Sequence, residues 1–265
     1  MLKRIDGFIF DLDGTVYRGD ELLPGSEKVI KRLREKDKQI VFLSNKPIES
    51  RNTYAEKLCR LGIPVETSQI INSSLVAARF LSETDPGAVV YVVGEEPLVK
   101  ELQSHGMKVS TDPEKIEYVI ASFDRKFNYD KLDLAYQAIK NGARLIATNS
   151  DKTCPVAGGE IPDAAGMIGA IEGVTGKKVE MIAGKPSSYM LQSALEILHV
   201  DNDACLLVGD RLETDIRMAL ENGILAVLVL TGVTTRSDLK GSSIKPDHVL
   251  ETLEDFDSIM EDFLG

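Results

Sequence analysis

Apolar and polar positions follow two rhythms along this chain. Short, largely uninterrupted apolar runs recur at 8–10, 39–43, 88–93, 118–122, 144–148, 204–208 and 224–230. Runs of that length, apolar on both faces, predict buried strands of a parallel sheet. Between them, apolar residues return three and four positions apart, as Val29, Ile30 and Leu33 do. That spacing and its stop signals predict helices over 26–36, 49–61, 73–81, 96–104, 130–141, 167–173, 188–198, 215–222 and 253–263. Strand and helix in alternation predict an α/β fold whose core is a Rossmann-like, doubly wound parallel sheet, with Val249-Leu250 at its edge.

The alternation is interrupted twice. Ser82-Glu83-Thr84-Asp85-Pro86-Gly87 breaks the first series, and Gly184-Lys185-Pro186-Ser187 marks its return. The block between has its own strands and helices, enough for a separate small sheet. The expected organisation is a discontinuous core, 1–84 and 182–265, interrupted by an inserted α/β cap, 88–178. Within the cap, 149–165 reads as a long polar loop containing Gly and Pro.

The most informative strand is the first. Phe8-Ile9-Phe10 ends in Asp11-Leu12-Asp13-Gly14-Thr15. Side chains at i and i+2 can point the same way, so Asp11 and Asp13 can face one small volume. Clustered carboxylates repel unless a cation offsets them, which points to a hard, oxygen-liking ion such as Mg²⁺. The backbone amides of Leu12 to Thr15, at a strand's carboxyl end, are placed to cup an anion. Ser44-Asn45 and Asp210 also end apolar runs, and Lys185 is expected to open a helix. In a doubly wound sheet those strand ends share one crevice. Carboxylates, a hydroxyl and an ammonium converging there suit metal-assisted phosphoryl transfer.

Composition narrows the field. The chain has 265 residues, 43% of them hydrophobic and 28% charged, as expected of a globular protein. A formal charge of −11 argues against a nucleic-acid surface, and no apolar stretch is long enough for a membrane span. No basic segment followed by an apolar one opens the sequence, so a cytoplasmic location is expected. Cys59, Cys154 and Cys205 form neither a disulfide framework nor a zinc pattern. Cys205, in an apolar run, is expected in the core.

With these motifs in order, the chain resembles the haloacid dehalogenase superfamily of aspartate-nucleophile phosphatases. Asp11-Leu12-Asp13-Gly14-Thr15 is similar to its first motif, Ser44-Asn45 to its second and Lys185 to its third. Gly209-Asp210-Arg211-Leu212-Glu213-Thr214-Asp215-Ile216 is similar to its fourth. Tyr17, Gly19 and the segments 124–132 and 147–151 resemble the NagD and 4-nitrophenyl-phosphatase-like branch, whose members carry a large α/β cap in the position proposed here. The resemblance spans the whole length.

It implies a Mg²⁺-dependent phosphatase for small phosphomonoesters, of sugar phosphate, nucleotide, pyridoxal phosphate or 4-nitrophenyl phosphate type. Asp11 is then the nucleophile that forms an aspartyl phosphate, and Asp13 the acid that protonates the leaving oxygen and later activates water. The metal is held by the Asp11 side chain, the Asp13 carbonyl and Asp210. Ser44 and the Asn45 amide bind the transferring oxygens, Lys185 offsets their charge, and Asp215 supports Lys185 or metal-bound water. A small phosphorylated metabolite is the expected partner, and a homodimer stays open. Two other readings share the acidic cluster: a phosphotransferase or phosphomutase, and a non-catalytic receiver-like or phosphometabolite-binding protein. The cap loop departs from the branch's pattern at Gly158-Gly159-Glu160-Ile161-Pro162-Asp163. There Glu160 and Asp163 either meet the leaving group or face water.

Overall fold

The computed structural model describes residues 4–156 and 158–264. Its contacts divide the chain into two compact units. One comprises Met1–Ser44, Arg51–Ile71 and Leu191–Gly265, and the other Asn45–Ser50 and Asn72–Met190.

The first unit is built on a six-stranded sheet, ordered His248–Leu250, Leu225–Val229, Cys205–Gly209, Gly7–Asp11, Gln39–Ser44, Ile70–Asn72. The pairs along it from His248–Leu250 to Gln39–Ser44 are parallel. Numbered in chain order this is the doubly wound 3-2-1-4-5-6 arrangement, whose strand order reverses between Gly7–Asp11 and Cys205–Gly209. The two strands are close enough that a Cβ on Gly7 would lie 2.8 Å from the Cys205 sulfur. Phe8, Phe10, Phe42 and Phe256 pack edge-on or tilted around the sheet, with centroids 6.2–6.5 Å apart. The helix Ser26–Glu35 covers the sheet with Val29, Ile30 and Leu33, as its periodicity predicts.

Two helices of this unit differ from expectation. The predicted 253–263 helix is a 3₁₀ turn, Leu253–Phe256, capped by Thr252, followed by the helix Asp257–Leu264. The predicted 215–222 helix begins earlier, as a widened π-type turn Leu212–Ile216 that runs into Arg217–Glu221. The three-residue strand Ile70–Asn72 was not anticipated, since so short a run carries no period.

The second unit holds a five-stranded parallel sheet ordered Met181–Ile182, Arg144–Ala147, Tyr118–Ala121, Val89–Val93, Lys108–Val109. Its helices are Ser73–Thr84, Glu96–Ser104, Tyr129–Lys140 and Ala164–Thr175. Asn45–Ser50 joins this unit through the Ser73 hydroxyl, which donates to the Asn45 carbonyl at 2.7 Å, and Asn72, which donates to the Glu49 carbonyl at 3.2 Å.

The expected loop 149–165 is corrected here. It contains an antiparallel ribbon, Thr153–Val156 against Gly159–Pro162, and the following helix starts at Ala164 rather than 167. Most ribbon residues face solvent, so no apolar alternation announced it. Cys154, read as a loop residue, is buried in the ribbon. No helix among the described residues is long and apolar enough to cross a membrane.

Candidate active site

Within the first unit, the site grows from the reversal point of the sheet. Asp11 is the last residue of the central strand and is buried, its Oδ2 sealed from solvent. In the neighbouring strand it registers with Leu43, which places the buried Ser44 one residue further along. The Ser44 hydroxyl lies 3.4 Å from the Tyr54 hydroxyl. On the other flank, Gly209 ends its strand and Asp210 follows it. The π-type turn then carries Asp215 inward, its backbone N–H donating to the Arg211 carbonyl at 3.1 Å. Carboxylate oxygens of Asp11, Asp210 and Asp215 lie within 4.8 Å of one another, and all three residues are buried.

Glycines make room for this acidic trio. A Cβ on Gly232 would stand 1.8 Å from Asp210 Oδ2, and one on Gly209 would stand 2.3 Å from the Asp215 Cβ. Gly14, at φ +96°, combines a left-handed backbone with the same crowding, 2.7 Å from Asp210 Oδ2. Asp210 is further held by the Val233 N–H, 2.6 Å from Oδ2. Three buried carboxylates this close repel strongly when ionised. An all-oxygen donor set suits a hard divalent cation and not a thiolate- or imidazole-seeking one. The residues therefore fit such an ion. Thr15, fully buried, has a hydroxyl without a hydrogen-bond partner among the described residues.

Asp13 lies outside the trio and is only half-buried, bridged to Tyr17. The expectation that the amides of Leu12 to Thr15 cup an anion is corrected for two of them. Gly14 N–H donates to the Tyr17 carbonyl at 2.8 Å and Thr15 N–H to the Leu12 carbonyl at 3.3 Å. The loop spends them on its own turn.

In the second unit, Lys185 is buried, but it does not open the helix as expected. It sits in the turn before Ser188–Leu198, closed by Ser187 N–H donating to the Gly184 carbonyl at 3.0 Å. The Asn45 carboxamide grips its backbone on both sides: Oδ1 accepts the Lys185 N–H at 2.7 Å, and Nδ2 donates to the Lys185 carbonyl at 3.2 Å. A Cβ on Gly184 would meet Asn45 Oδ1 at 2.6 Å, so this grip requires glycine there.

Neither arrangement expected for Asp163 holds. It is 2% exposed and caps Ala164–Thr175, accepting the Ala164 N–H at 2.5 Å and the Asn149 amide at 3.1 Å. Burial pushes its carboxyl above the usual carboxylate range, with those two bonds offsetting only part of the effect. Glu160 is exposed on the ribbon. The roles of Gly232 and of the Asn45 and Asp163 side chains had no motif to announce them. Only an Asp before an apolar helical stretch hinted at the cap.

Comparison with known proteins agrees with this architecture. Residues 8–108 match a haloacid dehalogenase-like hydrolase family model, and residues 182–256 a second, HAD-hydrolase-like one. The sugar-phosphatase AraL of Bacillus subtilis is 39% identical over 256 residues, covering 97% of this chain and 93% of that protein. The chain belongs to the haloacid dehalogenase-like hydrolases. Among solved structures of this family, the 4-nitrophenylphosphatase of Thermotoga maritima superposes with a TM-score of 0.92 at 33% identity, covering 96% of this chain and 97% of that one. NagD of Escherichia coli K-12 gives 0.87 at 28% identity, covering 94% and 97%. Within the haloacid dehalogenase-like hydrolases the chain falls in the NagD and 4-nitrophenylphosphatase-like branch. It is a hydrolase of phosphoric monoesters.

Proposed function

We propose that the protein is a Mg²⁺-dependent phosphatase of small phosphomonoesters, sugar phosphates foremost, that works through an aspartyl phosphate on Asp11. The observation that carries this reading is the buried trio Asp11, Asp210 and Asp215 at the reversal point of the parallel sheet. Mg²⁺ is the hard ion that binds through one or two carboxylates and retains waters. Asp11 and Asp210 are the side chains that would hold it, with the Asp13 carbonyl, and Asp215, within the same 4.8 Å, would support it or a water on it. Once bound, it would supply a Lewis acid that offsets charge on the phosphoryl oxygens.

The residues divide the remaining work. A carboxylate oxygen of Asp11 attacks phosphorus. The bond from phosphorus to the ester oxygen breaks, and Asp13 delivers a proton to that oxygen. Asp13 then takes a proton from water as the water oxygen attacks phosphorus, the bond to Asp11 breaks, and inorganic phosphate leaves. Ser44 and the Asn45 N–H orient the transferring oxygens, and Lys185 offsets their charge. Residues 1–84 and 182–265 form the catalytic core in this reading. The 88–178 cap selects the leaving group and keeps water out.

The test is turnover of a panel of phosphate esters with Mg²⁺ and with a chelator. Activity should vanish with the chelator and return with Mg²⁺. Asp11→Asn should abolish turnover while leaving the fold intact, since removing one of three crowded charges relieves repulsion. A folded Asp11→Asn variant that hydrolyses esters at the wild-type rate refutes the aspartyl-phosphate mechanism.

A further inference from the structure

The Asn45 grip on Lys185 has a fixed hand, and the cap loop anchors it. Besides the Lys185 carbonyl, Asn45 Nδ2 donates to Asp151 Oδ2 at 3.0 Å. If the carboxamide turned over, its NH₂ would face the Lys185 N–H and its oxygen both the Lys185 carbonyl and the Asp151 carboxylate, three repulsive pairs in place of three bonds. The Lys185 N–H and carbonyl fix that orientation, and the Asp151 carboxylate reinforces it and anchors the Asn45 side chain to the cap loop.

Asp151 is itself held from the sheet of the second unit. Asn149 Nδ2 donates to Asp151 Oδ2 at 3.2 Å and to Asp163 Oδ1 at 3.1 Å. The Asn149 oxygen accepts from the Thr148 hydroxyl at 3.0 Å, which in turn lies 2.8 Å from the Ser122 hydroxyl. Ser122 and Thr148 directly follow the adjacent strands Tyr118–Ala121 and Arg144–Ala147, and Ser122, Thr148 and Asn149 are fully buried. A second tether reaches the same turn, because the Gly184 N–H donates to the Thr148 carbonyl at 2.6 Å. Bonds to an ionised acceptor are roughly twice as strong as neutral ones, so the carboxylate is the firmest member of the chain.

We propose that Asp151 is a positioning residue for Lys185, acting through the Asn45 side chain. This rests on the phosphatase reading for its catalytic consequence but not for its structural one. A lysine side chain has several rotatable bonds, so its ammonium is placed only as well as its backbone and burial place it. Letting the turn drift by about 1 Å costs on the order of 100-fold when the group acts on developing charge.

The experiment uses the full chain with Asp151→Ala, Asp151→Asn, Asn45→Ala and the Asn45→Ala/Asp151→Ala pair. Two readouts are taken: kcat and KM on a phosphate ester, and hydrogen exchange of the Lys185 amide. Asp151→Ala should lower kcat about 100-fold with KM nearly unchanged, and should speed exchange at Lys185. Asp151→Asn, which can still turn an oxygen toward both donors, should lose less than about tenfold. The double variant should be no worse than Asn45→Ala alone. Wild-type kcat and wild-type exchange in Asp151→Ala overturn the proposal, as do equal losses in Asp151→Ala and Asp151→Asn, or additive losses in the pair. Should Asp151→Ala fail to fold, Asp151→Ser, too short to reach Asn45, is read the same way. If the wild-type chain turns over no ester, the phosphatase reading fails on its own, and exchange at Lys185 still decides the positioning role.

Discussion

Gly232→Ala adds a single methyl group at the point where the acidic trio is most tightly enclosed. The Gly232 φ lies outside the left-handed region, so the effect of alanine is chiefly steric. The new Cβ would stand 1.8 Å from Asp210 Oδ2, 2.3 Å from Cγ and 2.5 Å from Cβ. Ordinary contact needs about 3.5 Å, so the carboxylate or the loop must retreat by more than about 1 Å. Retreat also strains the 2.6 Å bond from the Val233 N–H to Asp210. Overpacking of this kind costs about 1–3 kcal/mol, partly offset by the ~0.4–1 kcal/mol that alanine gains through the unfolded chain. A net loss near 1 kcal/mol lowers Tm by about 2–4 °C in a chain of this size. Function should suffer far more. Mg²⁺ demands near-ideal geometry at about 2.0–2.1 Å, so a carboxylate displaced by ~1 Å leaves its coordination sphere. The expected result is at least a tenfold weaker Mg²⁺ affinity by calorimetry and about 100-fold lower kcat/KM, in a protein that still melts cooperatively. Gly232→Ala with wild-type Mg²⁺ affinity and wild-type kcat/KM would refute the claim that Asp210 is held in place by this glycine for metal binding.

Other consequences are as direct. Asp163 titrates above its ordinary value of 3.8 in the folded chain, so the folded state binds its proton more tightly than the unfolded state. Its contribution to stability is therefore largest below 3.8 and is lost as pH rises through the folded value. Asp163→Asn keeps an oxygen for the Ala164 N–H and removes the buried charge. It should raise Tm at neutral pH by a margin that shrinks on acidification, and a margin that grows on acidification contradicts this account. Cys59 is exposed, Cys154 is buried, and burial pushes the Cys205 thiol up to about 12. Iodoacetamide should label Cys59 alone in the folded protein, and mass spectrometry showing early modification of Cys205 would contradict its burial. Glu160→Ala, on the exposed ribbon, should change the ranking of kcat/KM among phosphate esters while leaving Mg²⁺ affinity intact. An unchanged ranking removes Glu160 from substrate choice.

Much of this protein could be read along the chain, because the signals involved are local. An unbroken apolar run such as Phe8–Phe10 must be buried on both faces wherever it ends up, and the acids that close it must then lie at the carboxyl end of the sheet. Val29, Ile30 and Leu33 declare a helix by their spacing alone. The motifs likewise pointed to Asp11, Asp13 and Asp210 as one acidic group with Asp215 in support, whereas the folded chain brings Asp215 into the trio and leaves the Asp13 side chain outside it. What the tertiary structure decided is which of these groups meet, and through which atoms. Asp215 enters the acidic trio from a π-type turn at the start of the helix, a geometry that no local periodicity announces. Lys108–Val109 and Met181–Ile182 are strands only because a neighbouring strand offers them hydrogen bonds, and two residues carry no period of their own. Gly232 and Gly184 look like ordinary loop glycines until the side chains they make room for, Asp210 and Asn45, are brought beside them from far along the chain. Asp163 in a polar loop reads as a solvent-facing acid, and becomes a buried helix cap only once the fold brings the Asn149 amide and the Ala164 N–H onto it. Hydrophobic periodicity reports burial, a property each segment has by itself. The direction of a polar side chain depends on partners that are distant in sequence, and only the folded chain brings them together.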